Sequence, residues 1–252
     1  LPPKLFREAD IELTPEQRET YSLAENDGVL RLAGMGDSMT IQHVFELVLR
    51  LKQICNHPAH FLHDGSRFSS DRSPKLERLC DMLGEVIDEG ESALVFSQFA
   101  EAGAALQKHL HATLGCPVFY LHGGVSAAQR EKLITEFQDP QTGPAVFVLS
   151  LRAGGLGITL TRANHVFHFD RWWNPAVEDQ ATDRAFRIGQ HRNVLVHKFI
   201  AVGTLEERID RLIEEKKEVA SLIVSNDESW LSKLDNETFK ALIALNRESA
   251  IA

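Results

Sequence analysis

The sequence predicts an α/β protein built on a mainly parallel sheet with helices on both faces. Between residues 73 and 200, five short apolar segments suited to strands alternate with segments of helical periodicity. Strands of a parallel sheet are apolar runs because helices cover both of their faces. At 252 residues and 43% hydrophobic, the chain can bury a large core without metal or disulfide staples.

The first 72 residues have an interrupted helical pattern. Thr14 followed by Pro is a helix N-cap, and turn residues between 26 and 36 indicate a loop. Apolar residues at helical spacing from Ile41 to Ile54 predict a second helix. The polar stretch 63–71 indicates a linker, because it carries Gly and Ser and no apolar face.

From residue 73 onward, strands and helices alternate. A helix begins after Ser73-Pro74 and ends at Gly90. The predicted strands are 93–96, 118–121, 145–149, 166–169 and 194–196. Helices are expected at about 100–112, after the capping box that starts at Ser126, and from about Pro175 to Ile188. A second capping box at Thr204 starts a charged amphipathic helix to about Ser225, and a short helix follows Trp230.

Charge argues against a protein that coats nucleic acid through its net charge alone. The chain carries 27 basic and 36 acidic side chains, a formal charge of −9. Residues 150–200 are the net-basic stretch, with seven basic and four acidic side chains, so a local basic face is still allowed.

The three cysteines, Cys55, Cys80 and Cys116, form no C-x-x-C pair, which favours free, buried thiols in a reducing cytosol. We expect no membrane segment, because no apolar run approaches the ~18 residues of a span. The start at Leu1 has neither an initiator Met nor a signal-peptide pattern, so we expect it to lie inside a longer protein.

Three loops at the predicted carboxyl ends of strands carry residues suited to phosphates and nucleic acid. They are residues 122–124, 150–157 and 170–175. Ligands of doubly wound sheets bind at these loops. Glycines let backbone approach a phosphate, while Arg and Trp offer charge and a flat surface. Tight turns with surface arginines would explain one such loop, but three together favour a binding edge.

The helix after Pro175 presents Gln180, Arg184 and Arg187 on one face, because residues three or four apart are neighbours on a helix. Two fixed cations suit phosphoryl transfer, where an arginine finger contributes about 10³ to 10⁵ in rate. The alternative is a solvated helix in which Glu178 and Asp183 pair with the arginines.

The long strings in this region resemble a known family. Leu151–Gly157, Trp173–Pro175 and Asp179–Gln190 are similar to motifs V and VI of the Swi2/Snf2 family of DNA-dependent ATPases, within superfamily 2. Leu51–Pro58, Val95–Phe99 and Leu121–Gly124 resemble earlier motifs of its C-terminal half. The residues of these motifs are most similar to those of bacterial members of the family. Phe186, Leu151 and Thr159 depart from the residues usual in the family, which are His, Thr and Asn.

The resemblance implies a RecA-like lobe of the P-loop NTPase type. Residues 1–72 would be a helical insertion and linker from between two motor lobes, 73–200 the C-terminal lobe, and 201–252 a set of brace helices. By the same resemblance, Arg184 and Arg187 would be catalytic fingers on ATP, with Gln180 beside them, and Gly155 and Gly157 would line the ATP site.

The resemblance also implies a face for double-stranded DNA. Its residues would be Ser97, Gln98, Phe99, His122, Gly123, Ser150, Arg152, Ala153, Gly154 and Trp173. Such proteins move along duplex DNA, so the expected function is that of a translocase or remodeller lobe. We expect a monomer in the bacterial cytoplasm, associated with the nucleoid.

Two elements of an ATPase are missing from the sequence. No Lys is followed by Ser or Thr, so there is no Walker A loop. Asp88–Glu91 imitates an acidic Mg²⁺ box but lies at the end of an amphipathic helix. We therefore expect ATP and Mg²⁺ to be held mainly by an N-terminal RecA-like lobe of the same polypeptide, and this chain to be inactive alone.

Other hypotheses remain open at this point. The chain could be a non-catalytic module that binds DNA or protein, or part of a strand-separating helicase. Cys55, His57, His60 and His63 could suggest zinc, but Pro58 interrupts their helix and we expect no metal. A dinucleotide fingerprint at 154–160 is incomplete, because its third Gly is missing.

Overall fold

In the computed structural model, the strands form a six-stranded sheet. The structure describes residues 1–151, 157–172, 174–215 and 234–246. Within these ranges the strands are β1 (Lys4–Ile11), β2 (Ala93–Ser97), β3 (Val118–Leu121), β4 (Val146–Ser150), β5 (His165–His168) and β6 (Val194–Ala201). The helices there are α1 (Pro15–Met35), α2 (Ile41–Asn56), α3 (Pro58–Leu62), α4 (Pro74–Asp88), α5 (Ala100–Leu114), α6 (Ala127–Gln138), α7 (Pro175–Thr182), α8 (Leu205–Glu215) and α9 (Asn236–Ile243).

The strand order is β1-β6-β5-β2-β4-β3. β2 pairs in parallel with β4 and β5, β3 with β4, and β5 with β6. β1 also runs parallel to β6, because Val194 N donates to Pro3 O (3.2 Å) and, further along both strands, Val202 N donates to Ile11 O (2.9 Å). The predicted parallel α/β class is therefore confirmed.

The five apolar strands were predicted and β1 was not. β1 has the sequence KLFREADI and most of its side chains are exposed. An edge strand of this kind shows neither the apolar run of a buried strand nor the helical spacing of the segments around it. The prediction of a purely helical region before residue 72 is therefore wrong for this strand.

The loop predicted between 26 and 36 is also wrong, because α1 is helical through to Met35. Gly28 was taken as a turn residue, but it lies against α2. A Cβ at Gly28 would come within 2.3 Å of Leu47 Cδ1. The glycine is thus explained by the close approach of two helices.

The chain forms two compact units. Unit 1 comprises 1–9 and 77–199, and unit 2 comprises 10–76 and 200–252. The division at residues 72 and 200 into insertion, lobe and brace stays a prediction. No helix within the described ranges has both the length and the apolarity needed to cross a membrane.

The core of unit 1 lies on the faces of its central strands. Every residue of β2, β4 and β5 is buried. Phe119, Phe137 and Phe147 pack on one another with ring centroids 5.2 to 5.9 Å apart. This rigid core fixes the carboxyl ends of the strands, where the candidate site lies.

Unit 2 contains buried polar contacts as well as an apolar core. Lys75 Nζ lies 2.9 Å from both carboxylate oxygens of Glu206, and it also donates to Asn56 Oδ1 (2.9 Å). Tyr21 OH donates to Ile243 O (2.6 Å) and accepts from Leu205 N (3.2 Å). These bonds connect segments that are distant in sequence. The three cysteine thiols of the chain are reduced and buried.

The predicted helix starts are present with some differences. Thr14 and Gln17 form a complete capping box, whereas Ser126 only accepts from Gln129 N. At α8, Thr204 Oγ1 accepts from Glu206 N (3.1 Å). The helix predicted to about Ser225 is described as far as Glu215, and the rest lies outside the described residues.

Candidate functional site

The carboxyl ends of four neighbouring strands form one edge of the sheet in unit 1. Ser97 at the end of β2 is level with Ser150 at the end of β4, and Phe96 is level with His168 at the end of β5. β3 ends at Leu121, level with Leu149. The three loops singled out in the sequence and the loop at 97–99 therefore start side by side, where open α/β sheets bind ligands.

Asp170 connects two of these loops. Its Oδ2 accepts from Ser97 Oγ (2.6 Å) and its Oδ1 accepts from Gln98 N (2.8 Å). Ser97 Oγ also accepts from Phe99 N (3.2 Å). Since Ser97 and Asp170 are fully buried, the hydroxyl predicted to face DNA shapes the turn after β2 instead. Sequence reasoning missed Asp170 because its partners are more than 70 positions away.

The other residues predicted to face DNA differ in exposure. Gln98 and Ser150 are buried, Phe99 and His122 are half-buried, and Gly123 is exposed. His122 Nδ1 accepts from Gly124 N (3.1 Å), which closes the turn after β3. Arg152, Ala153, Gly154 and Trp173, and Gly155 of the predicted ATP site, lie outside the described residues.

The two candidate finger residues lie on turns that follow α7. The predicted helix to Ile188 is too long, because α7 ends at Thr182. We name residues 183–190 the arginine turn. Arg184 is 5% exposed, with its guanidinium carbon 5.8 Å from the centre of the Phe96 ring. Burial, assisted by the charge of Arg187, lowers the pKa of Arg184 to about 10, so it is a cation at neutral pH.

Arg187 is more accessible and is held by backbone oxygens. Its Nη1 donates to Gly157 O (2.9 Å) and approaches Thr159 Oγ1 (3.4 Å). Its Nε donates to Asp183 O (3.2 Å). Gly157, predicted to line the ATP site, thus lies beside this arginine. Gln180 is exposed on α7.

The two carboxylates of the solvated-helix alternative pair elsewhere. Glu178 is buried and accepts from Arg171 Nε (2.7 Å), and Asp183 Oδ1 lies 2.5 Å from Lys4 Nζ. Among the described residues, the ion pairs of these two carboxylates are thus with Arg171, Lys198 and Lys4.

Gln190 holds the end of the arginine turn. Its Nε2 contacts three carbonyl oxygens, those of Thr161 (3.0 Å), Ala163 (2.9 Å) and Ala185 (3.0 Å), and its Oε1 accepts from Arg192 N (3.0 Å). The side chain is buried. Sequence reasoning placed Gln190 in a motif string and assigned it no role.

The metal hypotheses gain no support from the geometry. His57 uses Nδ1 to accept from Ala59 N (3.0 Å), and its Nε2 lies 2.9 Å from Ser69 O, so both ring nitrogens serve the backbone. Glu89, Glu91 and His165 are close enough to share an ion. However, Glu91 already accepts from Arg192 Nη1 at 3.0 Å, a cation that would compete with a metal.

Comparison with known proteins identifies relatives of this chain. The family model described as "Helicase conserved C-terminal domain" matches residues 74–189. YwqA of Bacillus subtilis, named as an ATP-dependent helicase/translocase, is 39% identical over 247 residues, which cover 98% of this chain and 26% of that protein. An uncharacterized ATP-dependent helicase of Mycoplasma pneumoniae is 33% identical, with 94% and 22% covered.

Solved structures show the same fold. The Sulfolobus solfataricus SWI2/SNF2 ATPase core in complex with dsDNA superposes with a TM-score of 0.81 at 38% identity, covering 98% of this chain and 51% of that one. The SWI2/SNF2 ATPase C-terminal domain of the same organism gives 0.78 at 35% identity, covering 96% of this chain and 99% of that domain.

The parallel sheet is thus that of a helicase C-terminal domain. The chain belongs to the Swi2/Snf2 family of ATPases, whose C-terminal domain it matches along nearly its whole length. This confirms the resemblance seen in the sequence. The chain spans about a quarter of the length of the curated relatives named above.

Proposed function

We propose that this chain is the second motor lobe of an ATP-dependent translocase on double-stranded DNA. In this role it supplies arginine fingers to ATP and contacts to the DNA backbone. The observation that carries the proposal is the pair Arg184 and Arg187, two cations on a turn beside the carboxyl edge of the sheet.

The arginine turn suits the charge of a γ-phosphate. The transition state of phosphoryl transfer spreads negative charge over the transferred oxygens, and fixed cations stabilise it. Arg187 is fixed by Gly157 O and Asp183 O and is still partly accessible. Arg184 is more buried than Arg187, in a less polar environment where a charge acts more strongly than in water.

ATP itself would be held mainly by a partner RecA-like lobe that carries the Walker A loop. Mg²⁺, when bound, neutralises charge on the phosphate oxygens. Arg184 and Arg187 offer guanidiniums and Gln180 an exposed amide, which do not suit a hard cation, and the carboxylate of Asp183 is paired with Lys4. The guanidiniums fit the triphosphate, so the metal ligands would belong to the partner lobe, and this chain alone would hydrolyse no ATP.

The DNA contacts would come from the loops at the same edge. A related structure is that of an ATPase core in complex with dsDNA. We infer that Phe99, His122 and Gly123 lie along the phosphate backbone, together with residues 152–154 and Trp173. The buried Ser97, Gln98 and Ser150 would hold these loops in position. Phosphate contacts carry no sequence information, which is what movement along any sequence requires.

In the proposed cycle, ATP draws the two lobes together and brings Arg187 to the γ-phosphate. Hydrolysis lets the two lobes separate. The DNA contacts of one lobe then shift along the duplex relative to those of the other lobe. We expect a monomeric motor in the bacterial cytoplasm.

The proposal is tested by comparing the lone chain with a polypeptide in which it is joined to its partner lobe. Each is assayed for ATP hydrolysis with and without duplex DNA. The lone chain is expected to be inactive, and the joined motor to be stimulated by duplex. Hydrolysis by the lone chain would show that the chemistry does not need a partner lobe, and the proposal would be wrong.

A second assay separates translocation from strand separation, since a relative is named as a helicase/translocase. The joined motor is expected to displace the third strand of a triplex and to leave a plain duplex intact. Unwinding of the duplex would identify a strand-separating helicase. A non-catalytic module would do neither, and it would not need the two arginines.

A further inference from the structure

We propose that Glu178 is a positioning residue that couples the DNA-facing segment after β5 to the arginine turn. The inference rests on the proposed function and deepens it. Glu178 lies in the first turn of α7 and is 1% exposed. Neither motif spacing nor helical periodicity singles it out.

Among the described residues, Oε1 of Glu178 accepts hydrogen bonds, whereas the buried Oε2 has only an ion-pair contact. Oε1 accepts from Arg171 Nε (2.7 Å) and from the backbone N–H of Trp172 (3.1 Å). Oε2 lies 3.4 Å from Lys198 Nζ on β6, an ion pair. The carboxylate therefore fixes the backbone that leads from β5 toward Trp173, the residue proposed to contact DNA.

The carboxylate is charged in the folded protein. Burial alone would raise the pKa of Glu178, but Arg171, His168 and Lys198 together lower it to about 2. Arg171 is itself 3% exposed. Neutralising Glu178 would remove a counter-charge from the buried Arg171, which is costly.

α7 connects this anchor to the arginine turn. The helix has eight residues, a length of about 12 Å, and is therefore short and stiff. At its far end, Thr182 Oγ1 lies 3.0 Å from Nε2 of the buried His168. The next residue, Asp183, offers the carbonyl that holds Arg187. A displacement of residues 171–172 by DNA would thus move α7 at Glu178 and reach the arginine through Asp183.

The test is Glu178→Gln in the joined two-lobe motor, which removes the charge and keeps the shape. The matched control is Glu206→Gln. Glu206 is also a buried carboxylate in the first turn of a helix, paired with Lys75 at 2.9 Å, but it lies in unit 2. Both variants should lose thermal stability, because each removes a counter-charge from a buried cation, Arg171 or Lys75.

Only Glu178→Gln should lose coupling. We expect DNA stimulation, measured as the ratio of ATPase at saturating duplex DNA to ATPase without DNA, to fall on the order of tenfold, within the usual range of coupling between two sites. Glu206→Gln should keep full stimulation. Equal stimulation in the two variants would overturn the inference.

Glu178→Asp keeps the charge on a shorter side chain and should recover most of the stimulation. If it behaves as Glu178→Gln does, the charge is not responsible and the inference fails. Arg187→Ala in parallel separates this failure from that of the proposed function. Loss of ATPase in Arg187→Ala with normal stimulation in Glu178→Gln refutes the coupling role alone, whereas full ATPase in Arg187→Ala refutes the finger assignment.

Discussion

Arg187 depends on the shape of its guanidinium as well as on its charge. Nη1 and Nε donate to two different carbonyl oxygens, those of Gly157 and Asp183. A lysine ammonium is a single point on a flexible chain and cannot span both. The arginine is thus held in place before any phosphate arrives, which lowers the cost of bringing it to the transition state.

We therefore predict that Arg187→Lys does not restore activity to the joined motor. Its kcat should fall by at least about tenfold, because the charge is kept and the fixed geometry is lost. The matched control is Arg192→Lys, an exposed arginine paired with Glu91 away from the proposed site, which should behave as wild type. Wild-type kcat in Arg187→Lys would show that charge alone is sufficient.

The hydrogen bonds of Gln190 lead to a prediction about the stability of the fold. Gln190→Ala removes one side chain and leaves several buried carbonyl oxygens with fewer donors, at a cost of about 2 to 4 kcal/mol. Gln129→Ala, at an exposed position on α6, should change the free energy of unfolding by less than about 0.5 kcal/mol. Urea unfolding of both variants measures the difference, and equal stability would contradict the role given to Gln190.

At the scale of single residues, the sequence predicts the groups suited to chemistry better than the groups that hold them. Arg184 and Arg187 were singled out by their type and by a helical spacing that ends at Thr182 in the structure, and Gly157 by the family resemblance. Asp170, Glu178 and Gln190 were missed as site residues because their partners lie elsewhere in the chain or on its backbone. Sequence periodicity shows which residues share one face of an element, but it does not show which distant carbonyl oxygen that face contacts.

At the scale of elements, the same limit applies to β1 and α1. The buried strands are apolar and were found, whereas β1 is an exposed edge strand without such a pattern. In α1, Asn, Asp and Gly near residue 27 indicated a turn, yet the helix continues because Gly28 lets α2 approach. Contact with a neighbouring helix overrides local propensity there.

Two glycines of α1 provide a matched test of this explanation. A Cβ at Gly28 would overlap the buried side chain of Leu47, whereas nothing lies within 4 Å of one at Gly34. Gly34→Ala should stabilise the protein by about 0.5 to 1 kcal/mol through helix propensity. Gly28→Ala should destabilise it by about 1 kcal/mol or more, since overpacking costs about 1 to 3 kcal/mol. Thermal unfolding of both variants measures these changes in stability. Stabilisation by Gly28→Ala would contradict the close contact between the two helices.

At the scale of the whole molecule, acid should weaken the fold through buried histidines. Burial lowers the pKa of His168 from 6.5 to about 4, so the folded state keeps this ring neutral. Between these two pH values the unfolded state binds a proton that the folded state does not. Stability is therefore fully present above about pH 6.5 and is lost as the pH falls toward 4.

The slope of the free energy of unfolding against pH measures this effect. Each such proton contributes up to about 1.4 kcal/mol per pH unit. His168→Gln should flatten the curve between pH 6.5 and 4, and His191→Gln, at an exposed position, should follow the wild-type curve. An unchanged slope in His168→Gln would contradict a neutral buried ring.

The proposed motor function depends on Arg187 acting as a finger on ATP. The most direct measurement is the single-turnover rate of ATP hydrolysis by the joined motor at saturating duplex DNA, for wild type and Arg187→Ala. We predict that the variant binds ATP but hydrolyses it about 10³ to 10⁵ times more slowly. Wild-type hydrolysis by Arg187→Ala would contradict the central claim.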